Sequence, residues 1–166
     1  MSYDARGLYF EEFSVGQELA SPARTITEAD IVQFAGLSGD YNALHTDAEF
    51  ARATPFGERI AHGLLGLAVA SGLAARAGFI EGTVQAFTGL EWKFRGPIRV
   101  GDTIYLVCRV ARIRALRSMG GGMVVFDVSV RNQREELVQQ GSWTLLIRGA
   151  PDQDAELASS GGQEPS

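Results

Sequence analysis

Cysteine is almost missing from the sequence, because Cys108 is the only one among 166 residues. A lone thiol cannot form an internal disulfide or build a cysteine-based metal site, so no oxidising compartment is implied. Basic residues are also in deficit: 15 Lys and Arg stand against 20 Asp and Glu, a formal net charge of −5. Without a basic excess, broad electrostatic binding to nucleic acid or to an anionic membrane is not expected.

Long hydrophobic runs are missing as well. The longest apolar stretch, from Leu64 to Ala75, is interrupted by glycines and a serine, and it falls short of the roughly 20 apolar residues that a helix needs to cross a bilayer. The first seven residues lack the basic segment and the apolar core of a secretory signal. We therefore expect a cytoplasmic protein that does not associate with membranes.

The composition that is present fits one globular domain with a polar end. Its 45% hydrophobic and 21% charged residues are ordinary for a folded chain. Residues 150–166 contain few large apolar side chains and cannot bury enough surface to offset the entropy of ordering. We predict one domain over residues 1–149 and a disordered tail over residues 150–166.

Three helices are expected in the first half of the chain. Thr27 and Asp30 form a capping-box pattern at the start of a helix that ends near Gly39. Thr46 begins a second, shorter helix in the same way. The third helix, from Gly63 to Ala77, is apolar nearly all round, which predicts that most of its faces are buried.

The second half is rich in β-branched and aromatic residues, which favour strands. Four strands are predicted, over residues 83–94, 103–113, 123–130 and 137–147. Short turns between them, one at the glycines 120–122, imply an antiparallel sheet. A buried helix followed by an antiparallel meander predicts an α+β fold in which the sheet wraps around the helix.

Candidate chemistry lies in the segment after the first helix. Asp40, Asn42 and His45 stand close together there, and a carboxylate with an imidazole can transfer protons near neutral pH. Asp and Asn are also common turn residues that bond their own backbone. Spacing alone therefore leaves both a catalytic and a structural interpretation open.

A second candidate segment leads into the apolar helix. Free N–H groups at a helix N-terminus favour a developing negative charge, and Gly63 would let a ligand oxygen come close. Close packing is the alternative explanation for Gly63, and a structural hydrogen bond is the alternative for His62. Ser71 has no nucleophile-elbow glycines around it and is expected to bond a carbonyl or another polar group.

Taken together, these segments resemble the MaoC-like dehydratases, the R-specific enoyl-CoA hydratases. Residues 39–45 match the motif Gly-Asp-x-Asn-Pro-x-His, with Ala43 where the family usually has proline. Residues 61–64 (Ala-His-Gly-Leu), Ser71 and the segment from Phe94 to Thr103 match as well. The missing proline removes a constraint on the motif loop.

The resemblance implies a hot-dog fold, in which an antiparallel sheet wraps a long helix, and a homodimer. The substrate would be a trans-2-enoyl thioester of CoA or of acyl carrier protein, hydrated reversibly to the R-3-hydroxyacyl product. No metal and no other cofactor would be needed, because the chemistry is proton transfer and polarisation.

The implied site has a role for each candidate residue. Asp40 and His45 would be the catalytic pair that holds a water, and the N–H of Gly63 would form the oxyanion hole. The supporting residues would be Asn42, which orients the loop or the water, Ser71 and His62.

Two alternatives remain open. A hot-dog thioesterase would bind the same ligands but would hydrolyse the thioester and release the CoA thiol. A non-catalytic acyl-thioester binding module, or one subunit of a two-chain dehydratase, would bind enoyl-CoA without turning it over alone. The presence of both Asp40 and His45 argues against an inert module.

Overall fold

The computed structural model describes residues 6–151. The predicted tail therefore lies largely outside the described residues; at its first position, the N–H of Ala150 donates to Glu11. Within the described range, the α-helices are α1 (Glu28–Ser38), α2 (Ala43–Thr46), α3 (Ala48–Arg52) and α4 (Gly63–Arg76). The strands are β1 (Glu18–Ala20), β2 (Arg24–Thr25), β3 (Val84–Phe94), β4 (Thr103–Leu116), β5 (Gly121–Arg131) and β6 (Leu137–Arg148).

The strands form one antiparallel sheet in the order β1-β4-β5-β6-β3, and β2 also pairs with β4. The four predicted strands and their antiparallel arrangement are confirmed. The predicted turn at residues 120–122 is only partly right, because Gly121 and Gly122 already pair with β4 and β6. A 3-10 turn over residues 117–119 and Gly120, whose φ is 60°, makes the reversal instead.

Helix α4 packs on one face of this sheet and supplies the centre of the core. One side of α4 is buried, through Leu65, Gly66, Val69, Ala70, Leu73 and Ala74. The opposite side is open: Leu64 is 61% exposed, and Ala68, Ser71 and Ala75 are exposed too. The expectation that most faces are buried is therefore wrong for a single chain, because the sheet covers only one side of the helix. The α+β class itself is confirmed.

The ends of α1 follow the sequence signals closely. The Thr27 hydroxyl accepts from the N–H of Asp30, and the Asp30 carboxylate accepts from the N–H of Thr27 at 2.8 Å. Gly39 ends the helix in the left-handed conformation, with φ at 76°. The start of the next predicted helix is off by one residue, because Asp47 rather than Thr46 caps α3.

Two backbone contacts hold the segment before α4 against the segment after β3. Ile60 pairs with Arg99, and the N–H of Ala61 donates to the carbonyl of Ile98 at 2.8 Å. The N-terminus of α4 is thereby fixed beside the end of the edge strand β3. None of the helices within residues 6–151 is both long and apolar enough to span a membrane.

Candidate active site

The loop between α1 and α2 is folded by its own polar side chains. The Asp40 carboxylate accepts from the N–H of Asn42 at 3.2 Å. The Asn42 side chain in turn accepts from the N–H of Leu44 at 3.0 Å and caps α2. Asn42 therefore orients the loop, as expected, and the short helix α2 places His45 in its last turn.

His45 is held by the backbone in front of α4. Its Nδ1 lies 2.8 Å from the carbonyl oxygen of Ile60. A carbonyl oxygen only accepts, so Nδ1 carries a hydrogen and donates, and in the neutral imidazole Nε2 then keeps its lone pair. His45 thus presents a basic nitrogen, and it lines a cavity next to Gly63.

His62 ties the loop to the helix. It is 2% exposed, and its Nε2 donates to the carbonyl of Asp40 at 2.9 Å. Its ring lies on that of His45, with centroids 3.8 Å apart, and the Phe34 ring lies 5.0 Å away. Its Nδ1 is buried with no hydrogen-bond partner among residues 6–151. These contacts agree with the structural interpretation of His62 and join Asp40, His45 and the start of α4 in one unit.

The three side chains come together closely. One ligand-type atom from each of Asp40, His45 and His62 lies within 4.8 Å of the others. Asp40 is exposed, His45 is half-buried and His62 is buried. This separation suits one water held between a carboxylate and an imidazole, and such a group could also ligate a metal ion. Each imidazole already gives one ring nitrogen to a backbone carbonyl.

A cavity of about 480 Å³ meets this cluster at His45, whereas Asp40 and His62 are not among the residues that line it. Gly63 begins α4 there, so its N–H is one of the free donors of the helix N-terminus. A Cβ on Gly63 would lie 2.7 Å from the Phe94 ring, which means that close packing also demands glycine. The rest of the wall is mostly apolar and includes Phe56, Ile60, Leu64, Phe94 and Ile98.

Ser71 stands apart from the cluster. Its hydroxyl donates to the carbonyl of Ala68 within α4 at 2.8 Å, and the residue is exposed. A hydrogen bond from Ser71 to a backbone carbonyl is one of the two arrangements expected from the sequence. The contacts described for residues 6–151 do not join Ser71 to Asp40 or His45, so in the single chain it does not support them.

Phe94 and Gln139 are among the wall residues to which the sequence assigns no role. The Gln139 side chain is 2% exposed and lines the cavity. Strand alternation offers a signal for it, because Gln139 is in phase with buried Trp143 and Leu145. Phe94 was assigned to a matching segment but had no role.

These observations define an α+β fold with one carboxylate and two imidazoles clustered near the N-terminus of its central helix. The family model for the MaoC like domain matches residues 12–131. The chain belongs to this family.

Several known proteins are similar to it. Protein MaoC of Klebsiella aerogenes is 43% identical over 113 residues, which is 66% of this chain and 33% of that protein. An (R)-specific enoyl-CoA hydratase of Rhodospirillum rubrum is 41% identical over 96 residues, 58% of this chain and 65% of that one. The chain thus spans less than two thirds of the length of either relative.

Solved structures agree in fold. A structure described as a monoamine oxidase regulatory protein from Archaeoglobus fulgius has a TM-score of 0.80 at 37% identity, covering 87% of this chain and 97% of that one. A Mycobacterium tuberculosis protein described as a double hot-dog fold has a TM-score of 0.76 at 20% identity, covering 97% of this chain and 47% of that one. The expected hot-dog fold is confirmed.

Proposed function

We propose that the protein hydrates trans-2-enoyl thioesters to R-3-hydroxyacyl thioesters, and catalyses the reverse dehydration. The observation that carries the proposal is the meeting of Asp40 and His45, within 4.8 Å, at the point where His45 lines the apolar cavity at the start of α4. The Rhodospirillum rubrum relative, which bears the name of an (R)-specific enoyl-CoA hydratase, supports the same activity.

In the proposed reaction, the thioester carbonyl accepts a hydrogen bond from the N–H of Gly63. Polarisation of the carbonyl makes Cβ electrophilic, and a water held by Asp40 and His45 attacks it. The pair takes one proton from this water while the new C–O bond forms, and it delivers a proton to Cα on the same face. The enolate-like oxygen that develops in between is stabilised at the helix N-terminus, where losing a donor typically costs about 10²–10³ in rate.

Several features of the assembly belong to the proposal. The acyl group occupies the apolar cavity, and the carrier is CoA or acyl carrier protein. The reaction requires no metal and no other cofactor, and we place it in the cytoplasm. Ser71 would support the site only across a dimer interface, because its hydroxyl bonds Ala68 within one chain.

A homodimer is proposed from the exposed edge of the sheet. Strand β3 lies at the end of the strand order. Its side chains Phe87, Leu90 and Phe94 are 49%, 48% and 55% exposed. An edge strand with unpaired backbone groups and exposed apolar side chains invites pairing with another strand, and a second copy of β3 would cover both.

The catalytic pair is tested with Asp40→Asn and His45→Ala. Each variant should lower kcat for crotonyl-CoA hydration by about 10²–10⁴-fold, the usual contribution of general acid–base catalysis, without loss of fold by circular dichroism. Asp127→Asn, on an exposed face of β5, is the matched control and should behave like the wild type. If both Asp40→Asn and His45→Ala retain the wild-type kcat, the assignment is wrong.

The same assay separates the alternatives. Hydration removes the enoyl absorbance without releasing thiol, whereas a thioesterase releases CoA thiol at the rate of substrate loss. A binding module or a single subunit of a two-chain enzyme binds enoyl-CoA and leaves both signals unchanged.

A further inference from the structure

Gln139 is a buried polar side chain in an apolar setting. It lies on β6, in phase with Trp143 and Leu145, and is 2% exposed. Burying an amide without hydrogen-bond partners is unfavourable by several kcal/mol in the least polar environments, so buried amides are nearly always bonded. The partners of Gln139 show what the amide holds in place.

Both ends of the Gln139 amide are bonded. Its Nε2 donates to the carbonyl of Gly63 at 2.9 Å, and its Oε1 accepts from the Trp92 indole Nε1–H at 3.1 Å. An indole N–H only donates and a carbonyl only accepts, so the two partners allow one orientation of the amide. The side chain therefore links the edge strand β3 to the first turn of α4.

The helix has a space for this amide. A Cβ on Gly66 would lie 2.3 Å from Nε2 of Gln139. Gly66 is three residues after Gly63, so the two glycines lie on one side of α4. The amide inserts against this side and comes close enough to bond the backbone.

We propose that Gln139 is a positioning residue that fixes the N–H of Gly63 for the thioester oxygen. This inference rests on the proposed function, because it concerns the oxyanion site of that reaction. The carbonyl that Gln139 holds belongs to the same residue as the N–H, so restraining it restrains the first turn of α4. A donor must be held in place to stabilise charge as it develops, and a misplacement of about 1 Å can cost about 10²-fold in rate.

The sharpest test is Gln139→Glu, which keeps the shape and changes one group. A protonated carboxyl can still donate to the Gly63 carbonyl, whereas a carboxylate cannot and places a negative charge beside the developing oxyanion. The ratio of variant to wild-type kcat should therefore fall as the pH rises, by about tenfold or more, with a smaller change in KM. With a merely structural role, the free energy of unfolding would fall, but kcat per folded molecule would keep a constant ratio to the wild type across the pH range.

Gln140→Glu is the matched control. Gln140 is the next residue of β6, so its side chain lies on the other side of the sheet from Gln139. Its cross-strand partners there are Lys93 on β3 and Ser129 on β5. The same change of charge there should leave the kcat ratio flat with pH. Trp92→Phe removes the indole donor, together with part of the ring that stacks on Trp143, and should lower kcat in the same direction as Gln139→Glu, by a smaller factor.

A measurement without substrate separates this inference from the proposed function. The backbone amide resonance of Gly63, followed by NMR, should shift with pH in Gln139→Glu and stay in place in Gln140→Glu. A flat kcat ratio together with an unmoved Gly63 resonance would overturn the positioning role, while Asp40→Asn would still report on the function. If the wild type hydrates no enoyl thioester, the function fails and the Gly63 resonance still tests the role of Gln139. If Gln139→Glu does not fold, the Trp92→Phe kcat decides.

Discussion

Gly63 and Phe94 form a tight pair at the mouth of the cavity. The Phe94 ring would lie 2.7 Å from a Cβ on Gly63, and the ring itself is 55% exposed. The ring therefore leaves no room for a methyl group on Gly63. Close packing therefore requires glycine here, and in the proposed reaction the missing Cβ would also let a substrate oxygen approach the N–H.

Gly63→Ala should lower kcat/KM for crotonyl-CoA by about 10²-fold, because the methyl group and the displaced ring crowd the oxyanion position. Adding Phe94→Ala should recover part of the loss by removing the ring. The control is Gly72→Ala, on the exposed side of α4, where a Cβ meets nothing within 4 Å. Wild-type kcat/KM in Gly63→Ala would contradict the oxyanion role.

The cluster of Asp40, His45 and His62 has side chains of the types that ligate metals. If it works by proton transfer alone, dialysis against a chelator should leave kcat for crotonyl-CoA unchanged. The measurement compares dialysed protein with protein resupplied with zinc or manganese. A loss of activity that the metal restores would show instead that the cluster holds an ion.

At the residue scale, the motif from Gly39 to His45 could be predicted from the sequence, because most of its hydrogen bonds are local. Asp40, Asn42 and His45 bond within the loop or to the backbone before α4. The link between Gln139 on β6 and Gly63 on α4 joins two elements that are distant in sequence. The sequence shows that Gln139 is a polar residue in an apolar strand. It does not predict the hydrogen-bond partners of Gln139, because these depend on how α4 packs on the sheet.

At the scale of elements, the capping box of α1 is a stabilising unit that depends on charge. Burial raises the pKa of Asp30, but hydrogen bonds from Thr27 and the ion pair with Arg24 outweigh burial, so the pKa lies below its ordinary value of 3.8. A lowered pKa in the folded state means that the carboxylate stabilises the fold above the ordinary pKa. This stabilisation is lost as the pH falls through the lowered value.

Asp30→Asn should therefore reduce the free energy of unfolding by about 1 kcal/mol at pH 7. The difference from the wild type should shrink as the pH falls below the ordinary pKa of Asp30, because the wild-type carboxylate then becomes protonated. Denaturant unfolding at a series of pH values measures it, with exposed Asp127→Asn as the control. A difference that stays constant down to the acid limit would contradict the role of the charge.

Element boundaries show where sequence patterns lose precision. The Thr27 box predicted α1 because both of its bonds are local, and the structure has them. Thr46 and Asp47 are adjacent residues that can both cap, and the structure uses Asp47 for α3 while Thr46 bonds backward to Tyr41 and Asn42. The strands β1 and β2 have three and two residues, too few for an alternation to be seen.

On the scale of the whole molecule, the open faces of β3 and α4 follow from the single sheet. The apolar sequence of α4 predicted a helix buried on most faces, yet Leu64 on α4 and Leu90 on β3 remain exposed in one chain. A sheet of this size covers one side of the helix. The proposed homodimer accounts for the apolar surface that is left.

Leu90→Glu should shift the protein from dimer to monomer, because a carboxylate replaces an apolar contact in the proposed interface. Light scattering at micromolar protein concentration measures the mass. Val15→Glu, at a residue 63% exposed and remote from β3 in sequence, is the control and should remain dimeric. A monomeric wild type, or a dimeric Leu90→Glu, would contradict the β3 interface.

One assay bears on the central claim more directly than any other: crotonyl-CoA incubated with the purified protein while enoyl absorbance and free thiol are recorded together. The protein itself adds no thiol signal when folded, because burial raises the pKa of the Cys108 thiol to about 12. We predict that absorbance falls without thiol release and that the product is the R-3-hydroxyacyl thioester. Thiol released in step with absorbance, or binding without any turnover, would contradict the account.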